Sequence, residues 1–220
     1  KFDASSYTFA TSNSTKMTIL AGGNVGIGET VPLGNLHIKS GDAGSISPVA
    51  GADELVVESS GAGGISIFTP DASTGSLMFG SPSDDDGAIV SWNYDANTMV
   101  IATDKAEGLL SFRVAASSEA MRIDSAGNVG IGIAPSAWSA GTALDIGVLG
   151  SGSFWGSGAN AMYWGDNWYY DGGYKYKTTL TANRFASDSG GFHFSTAPSN
   201  SGSPGDACTL TTRFQVDNAG

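Results

Sequence analysis

In a chain of 220 residues, 21 acidic side chains against 10 scattered basic ones give a net charge of −11, a balance that excludes nucleic acid as a partner. The 32 glycines are about twice the usual ~7% share and charged residues, at 14%, fall well below ~25%, yet 40% of the residues are hydrophobic and five are tryptophan, which excludes a disordered chain. A single cysteine, Cys208, rules out an intrachain disulfide and is expected as a small buried residue.

With His37 and His193 the only histidines, no zinc site, other metal or cofactor is expected. No run approaches the ~20 apolar residues of a membrane span and no signal peptide is visible, so membrane insertion is not expected either.

Residues 1–16 are rich in Ser and Thr, with Phe2, Tyr7 and Phe9 at intervals, and predict one or two short strands. Met17 to Gly28, MTILAGGNVGIG, follows; it returns at Met121 to Gly132 as MRIDSAGNVGIG and begins again at Phe214 as FQVDNAG. The steps of roughly 100 residues are far longer than the ~20–50 of a solenoid repeat, so the motif reads as a joint between small domains. Within each copy, alternating residues such as Met121 and Ile123, a small polar run, and Val129 and Ile131 spell a hairpin.

Its return strand, Val-Gly-Ile-Gly, weakens pairing unless another backbone comes close. One reading places Gly23, Gly26, Gly28, Gly127, Gly130 and Gly132 at a crowded axis shared by several chains. The other is a glycine-rich hairpin within one chain.

After the first joint, Val31–Pro32–Leu33–Gly34 breaks pairing and Asn35–Lys39 starts a new strand. Short strands are then predicted at Glu54–Glu58, Gly64–Phe68, Ser76–Phe79, Ala88–Trp92, Thr98–Ala102 and Leu109–Val114, a spacing typical of a sandwich or barrel. Helical periodicity is nearly absent; Lys105–Leu110 and Ser117–Met121 allow a single turn each. The second block predicts strands at Ala143–Gly147, Ser153–Trp155, Ala161–Trp164, Trp168–Tyr170, Tyr174–Thr179, Arg184–Ser187 and Gly191–Thr196, with Asp171–Gly172–Gly173 as a hairpin turn. The expected organisation is 1–34 as N-terminal strands and first joint, 35–116 as a first β-domain, 117–142 as the second joint, 143–206 as an aromatic-rich β-domain, and 207–220 as the start of a third joint. Ending where the other copies continue, the chain reads as an excerpt of something longer.

The joint GNVGIG followed by Pro32 and Leu36–His37–Ile38, the stretch Gly87–Ala88–Ile89–Val90 through Asn93–Met99 to Met121–Asp124, and the block with Ala143–Ile146, Tyr169–Lys177 and Thr196–Pro198 together resemble the shafts of tail fibres from tailed bacteriophages, marine ones especially. Glu29–Thr30–Val31 and Ile133–Ala134 depart from that family's usual Gly-Thr link. The resemblance implies an all-β, fibrous homotrimer of small sandwich- or barrel-like domains, a virion component that is extracellular, contacts other tail proteins and supports host attachment without being an enzyme.

Four other readings of the residues are weighed against that expectation. The glycines follow G-x-x-G-x-G, with no helix after them, so nucleotide binding is not supported. Asp84–Asp85–Asp86 lacks the alternation of a calcium loop and reads as a solvated acidic turn. Asp166 and Asp171 are the best carboxylate pair for a glycan depolymerase, although both sit in turn contexts. The stripe Trp164, Trp168, Tyr170, Tyr174 and Tyr176, with Tyr163, Tyr169, Lys175 and Lys177, either stacks on a bacterial surface polysaccharide as a receptor-binding module or fills a core or interchain seam.

Overall fold

The computed structural model describes residues 5–148, 150–157, 161–188 and 190–217. Phe2 and the last residues of the third joint, Asn218 to Gly220, lie outside them. The chain forms two compact units, Lys1–Phe68 and Thr69–Gly220; the division falls inside the 35–116 stretch.

The first unit is a five-stranded sheet in sequence order: β1 (Ser6–Thr11), β2 (Ser14–Leu20), β3 (Val25–Ile27), β4 (Leu36–Lys39) and β5 (Leu55–Glu58). Ser12 and Asn13 close the first hairpin with φ of 50° and 60°, the positive values that a tight two-residue turn uses. Pairing is antiparallel as far as β3 and parallel from β3 to β5.

The second unit opens with a three-stranded antiparallel sheet, β6 (Thr74–Ser81), β7 (Asp84–Asn93) and β8 (Thr98–Thr103). Next come β9 (Leu110–Val114), a single 3-10 turn at Ala115–Ser117, β10 (Ser118–Ile123), β11 (Val129–Ile131), β12 (Thr142–Ile146), β13 (Gly152–Gly156), β14 (Met162–Asp166), β15 (Trp168–Tyr170), β16 (Tyr174–Tyr176), β17 (Ala182–Asp188), β18 (Gly191–Ala197) and β19 (Thr211–Val216). A nine-stranded sheet runs β19-β18-β17-β14-β13-β12-β11-β10-β9, while β15 and β16 form a separate hairpin around Asp171–Gly173.

The fold is all-β, as the sequence predicts, but none of its sheets closes into a barrel. Two local expectations are corrected. Gly64–Phe68 forms no strand. Asp84–Asp86 begins β7 rather than forming a turn, because Pro82 and Ser83 already reverse the chain and Asp84 pairs with Ser81.

The two joints fold alike. Met17, Thr18 and Ile19 pair with Ile27, Gly26 and Val25; Met121, Arg122 and Ile123 pair with Ile131, Gly130 and Val129. In both, the return strand then pairs in parallel with the next one, Val25–Ile27 on Leu36–Ile38 and Val129–Ile131 on Leu144–Ile146.

The glycines have reasons within their own chain. A Cβ on Gly26 would overlap the carbonyl oxygen of Glu29, and one on Gly130 that of Ile133. Gly23, Gly28, Gly127 and Gly132 have φ between 72° and 94°, where a side chain is strained. A crowded axis is therefore not needed to explain them.

Candidate functional site: an aromatic core, a buried ion pair and an uncovered sheet face

The two faces of the nine-stranded sheet are built differently. On one, Ala143, Trp155, Tyr163 and Ala186 are cross-strand neighbours and buried, and the β15–β16 hairpin packs against them through Trp168, which is fully buried. Its rings cross edge-on at 5.6 Å to Trp138, 6.2 Å to Trp155 and 6.4 Å to Tyr163, the arrangement that ring quadrupoles favour. Its indole N–H donates to the Asn183 carbonyl at 3.0 Å.

The predicted aromatic stripe is thus divided. Trp168 and Tyr176 are core residues, and the Tyr176 hydroxyl donates to the Pro198 carbonyl at 2.7 Å. Tyr170 and Tyr174 are half-buried against that core, with Tyr170 stacked on Trp155 at 5.0 Å and Arg184 over Tyr174 at 4.7 Å. Burial pushes the Tyr163 phenol up to about 12. Trp164 belongs to the opposite sheet face, stacked on Phe185 at 4.0 Å. No row of open rings remains for a sugar polymer among these residues.

Lys177, grouped with Lys175 beside the aromatic stripe, is buried, its side chain 2% exposed. Its Nζ donates to Asp145 Oδ1 at 2.7 Å and to Ser153 Oγ at 2.5 Å, and lies 5.8 Å from the centre of the Trp138 ring. Asp145 is held from every side: Ser153 Oγ donates to Oδ1 at 2.7 Å, while the Ser136 backbone N–H and the Trp138 indole N–H donate to Oδ2 at 2.8 and 3.3 Å. Burial pulls the Lys177 ammonium below its usual range, with Asp145 only partly offsetting it. Burial also pushes the Asp145 carboxyl up, but the Lys177 charge and these donors outweigh it and leave it lowered.

Asp145 pairs with Gly130, and His37 pairs with Gly26: the two occupy the same place after their joints, in Leu-Asp-Ile and Leu-His-Ile. His37 is fully buried. Its Nδ1 accepts from the Leu33 N–H at 3.3 Å, and Nε2 lies 3.0 Å from Glu58 Oε2 without aligned hydrogen-bond geometry. Lys39 Nζ bridges Glu29 at 3.0 Å and Glu58 at 3.2 Å. Glu29, Glu58 and His37 have the spacing of a metal-ligand set, but the Lys39 ammonium already supplies the positive charge.

Glu29 also accepts from the Val31 and Thr30 N–H groups, and these bonds with Lys39 hold it down to about 2. The residue that departs from the Gly-Thr link is therefore a built part of the first joint. Sequence reasoning missed both clusters, although an ionisable residue between two apolar ones at the same place after each joint was a readable signal.

The other sheet face carries an apolar row that crosses all nine strands: Leu110, Ile123, Val129, Leu144, Phe154, Trp164, Phe185, Phe194 and Phe214 are successive cross-strand partners. Phe154, Phe194 and Phe214 are exposed, Phe214 by 64%, and Phe112, Ile131 and Ile146 extend the surface on the same face. At ~4.8 Å between strands the row is roughly 40 Å long.

The remaining candidates are local. Asp166 accepts from the Asn183 N–H at 2.9 Å and Asp171 is an exposed turn residue. The Asp84–Asp86 carboxylates crowd one another, and the hydrogen bond with Asp84 raises Asp86. Cys208 is buried beside the aromatic core, as expected of it. Among the described residues no helix is long and apolar enough to cross a membrane. Compared with known proteins, the chain matches no family model and no curated protein.

Proposed function

We propose that this chain is a structural component of a tailed-bacteriophage tail fibre: an extracellular, homotrimeric part of the virion that joins other tail proteins and supports attachment to the host surface. The observation that carries this reading is the row of nine apolar residues from Leu110 to Phe214, three of them exposed and the other six only partly buried. Phe154, Phe194 and Phe214 in the row and Phe112, Ile131 and Ile146 beside it are exposed, and contiguous exposed apolar surface of this kind marks an interaction site.

The sheet β6–β8 supports the same need for a cover. Leu77, Val90 and Ile101 align across it on one face and Met78, Ile89 and Ala102 on the other, with Leu77, Met78 and Ile101 more than half exposed. Copies of the chain would bury such faces and shield strand edges from uncontrolled pairing. Repeated joints between unlike blocks suit a part whose task is reach. A receptor-binding role for the aromatic stripe loses its support with Trp168 and Tyr176 in the core, and polysaccharide contact then falls to other segments of the fibre.

Light scattering on the natural protein tests the proposal. The contribution of this segment to the assembly is expected to be three times the 22.3 kDa of one chain. Replacing Phe194 and Phe214 together by Glu is expected to lower the mass to that of single chains while far-UV circular dichroism stays β-type. A wild-type protein that is a stable monomer across the micromolar range overturns the trimer.

A further inference from the structure

We propose that Lys177 and Asp145 condense in the folded chain to an intramolecular amide, an isopeptide bond tying the segment after β16 to β12. The inference stands on the geometry of this pair and does not depend on the fibre reading. Four elements of amide formation meet here. The nucleophile and electrophile are in contact, Nζ lying 2.7 Å from Oδ1. Little solvent reaches either group, both side chains being 2% exposed or less. Two N–H donors, from Ser136 and the Trp138 indole, converge on Oδ2. Ser153 Oγ touches both reacting groups, at 2.5 Å from Nζ and 2.7 Å from Oδ1.

The step balances without any co-reactant. A proton passes from the ammonium to the carboxylate, giving an amine and a carboxylic acid; in a buried site this removes two poorly solvated charges. The amine lone pair attacks Cγ and the C–N bond forms. Negative charge develops on Oδ2, where the two N–H groups already point, as donors of an oxyanion hole do. Ser153 Oγ takes a proton from the nitrogen and delivers one to Oδ1. The Cγ–Oδ1 bond breaks, Oδ1 leaves as water, and the carbonyl re-forms at Oδ2. Nothing is oxidised or reduced, and one water is lost per chain.

The first unit holds an internal comparison. Lys39 also lies within 3.2 Å of two carboxylates, Glu29 and Glu58, but its side chain is 22% exposed. Water solvates that ammonium, and it is expected to stay an ion pair.

Mass spectrometry of the purified wild-type protein in denaturant tests the proposal. The intact mass is expected about 18 Da below the sequence mass, the loss of one water. Trypsin is expected to spare Lys177 and to release one branched peptide that joins the segment holding Asp145 to the segment holding Lys177. Lys177→Arg is expected to restore the full mass, and Ser153→Ala to leave a mixture of joined and unjoined chains. A full sequence mass in the wild type, with cleavage after Lys177, overturns the proposal. So does a loss of water with both segments recovered as linear peptides, which would place a succinimide at Asp86–Gly87 or Asp171–Gly172. Because the wild-type measurement decides alone, a variant that fails to fold does not blunt the test.

Discussion

Replacing Gly130 by alanine separates two causes of glycine use. A Cβ there would overlap the Ile133 carbonyl oxygen and come within 2.9 Å of Pro135 Cδ, all inside one chain, so the backbone between β11 and β12 has to move. Overpacking of this kind costs about 1–3 kcal/mol, while alanine regains ~0.5–1 kcal/mol relative to glycine in a strand, leaving a net loss between about 0 and 2.5 kcal/mol, taken as about 1.5 because the overlap is with fixed backbone. For a unit of this size that is a fall in Tm of roughly 3–6 °C.

Thermal melts followed by circular dichroism over a hundredfold range of protein concentration read the effect. Linkage makes any contact between chains concentration-dependent, so an intrachain cause predicts the same fall in Tm throughout the range. Gly22→Ala, where an added Cβ would meet no atom within 4 Å, is the matched control and is expected to be neutral. If Gly130→Ala leaves Tm unchanged at low concentration and lowers it only where chains associate, the glycine serves a contact between chains and the reasoning here is wrong.

Two further outcomes follow from the cores. Trp168→Ala removes a fully buried ring and leaves the Asn183 carbonyl without its indole donor, a loss of about 3–5 kcal/mol to be read from the midpoint of urea unfolding. Glu29 is held at about 2 against a usual 4.5, so its contribution to stability is complete above pH 4.5 and is lost as the pH falls from there toward 2. Glu29→Gln is expected to flatten the pH dependence of Tm in that window, and an unchanged slope would show that Lys39 and the loop N–H groups do not hold this carboxylate.

Local patterns were legible and long-range pairings were not. The Asp171–Gly173 turn, the two joint hairpins and most strands of the aromatic block stand where alternation and turn chemistry place them. Ile65 and Ile67 alternate as a strand should, but among the described residues none pairs with them, and both are exposed. The parallel pairing of β3 with β4 and of β11 with β12 joins residues across a loop, which periodicity cannot reveal. The place of Lys177 was illegible for a related reason: nothing beside it in the sequence points to Asp145, 32 residues away, as its partner. The aromatic stripe gave its composition but not its side of the sheet, since Trp164 and Tyr163 are adjacent and face opposite ways.

Each joint makes one antiparallel turn and then one parallel crossing, and it does so in the same register both times. The segment between the joints is a three-stranded meander with its flanking strands, whereas the one after the second joint is a sheet wrapped over an aromatic hairpin. The joint behaves as a splice site: its geometry closes on its own hairpin and the first strand of the next block, so what lies beyond that strand is free to differ in length and architecture. A chain built this way carries blocks of different length and architecture behind joints that fold alike.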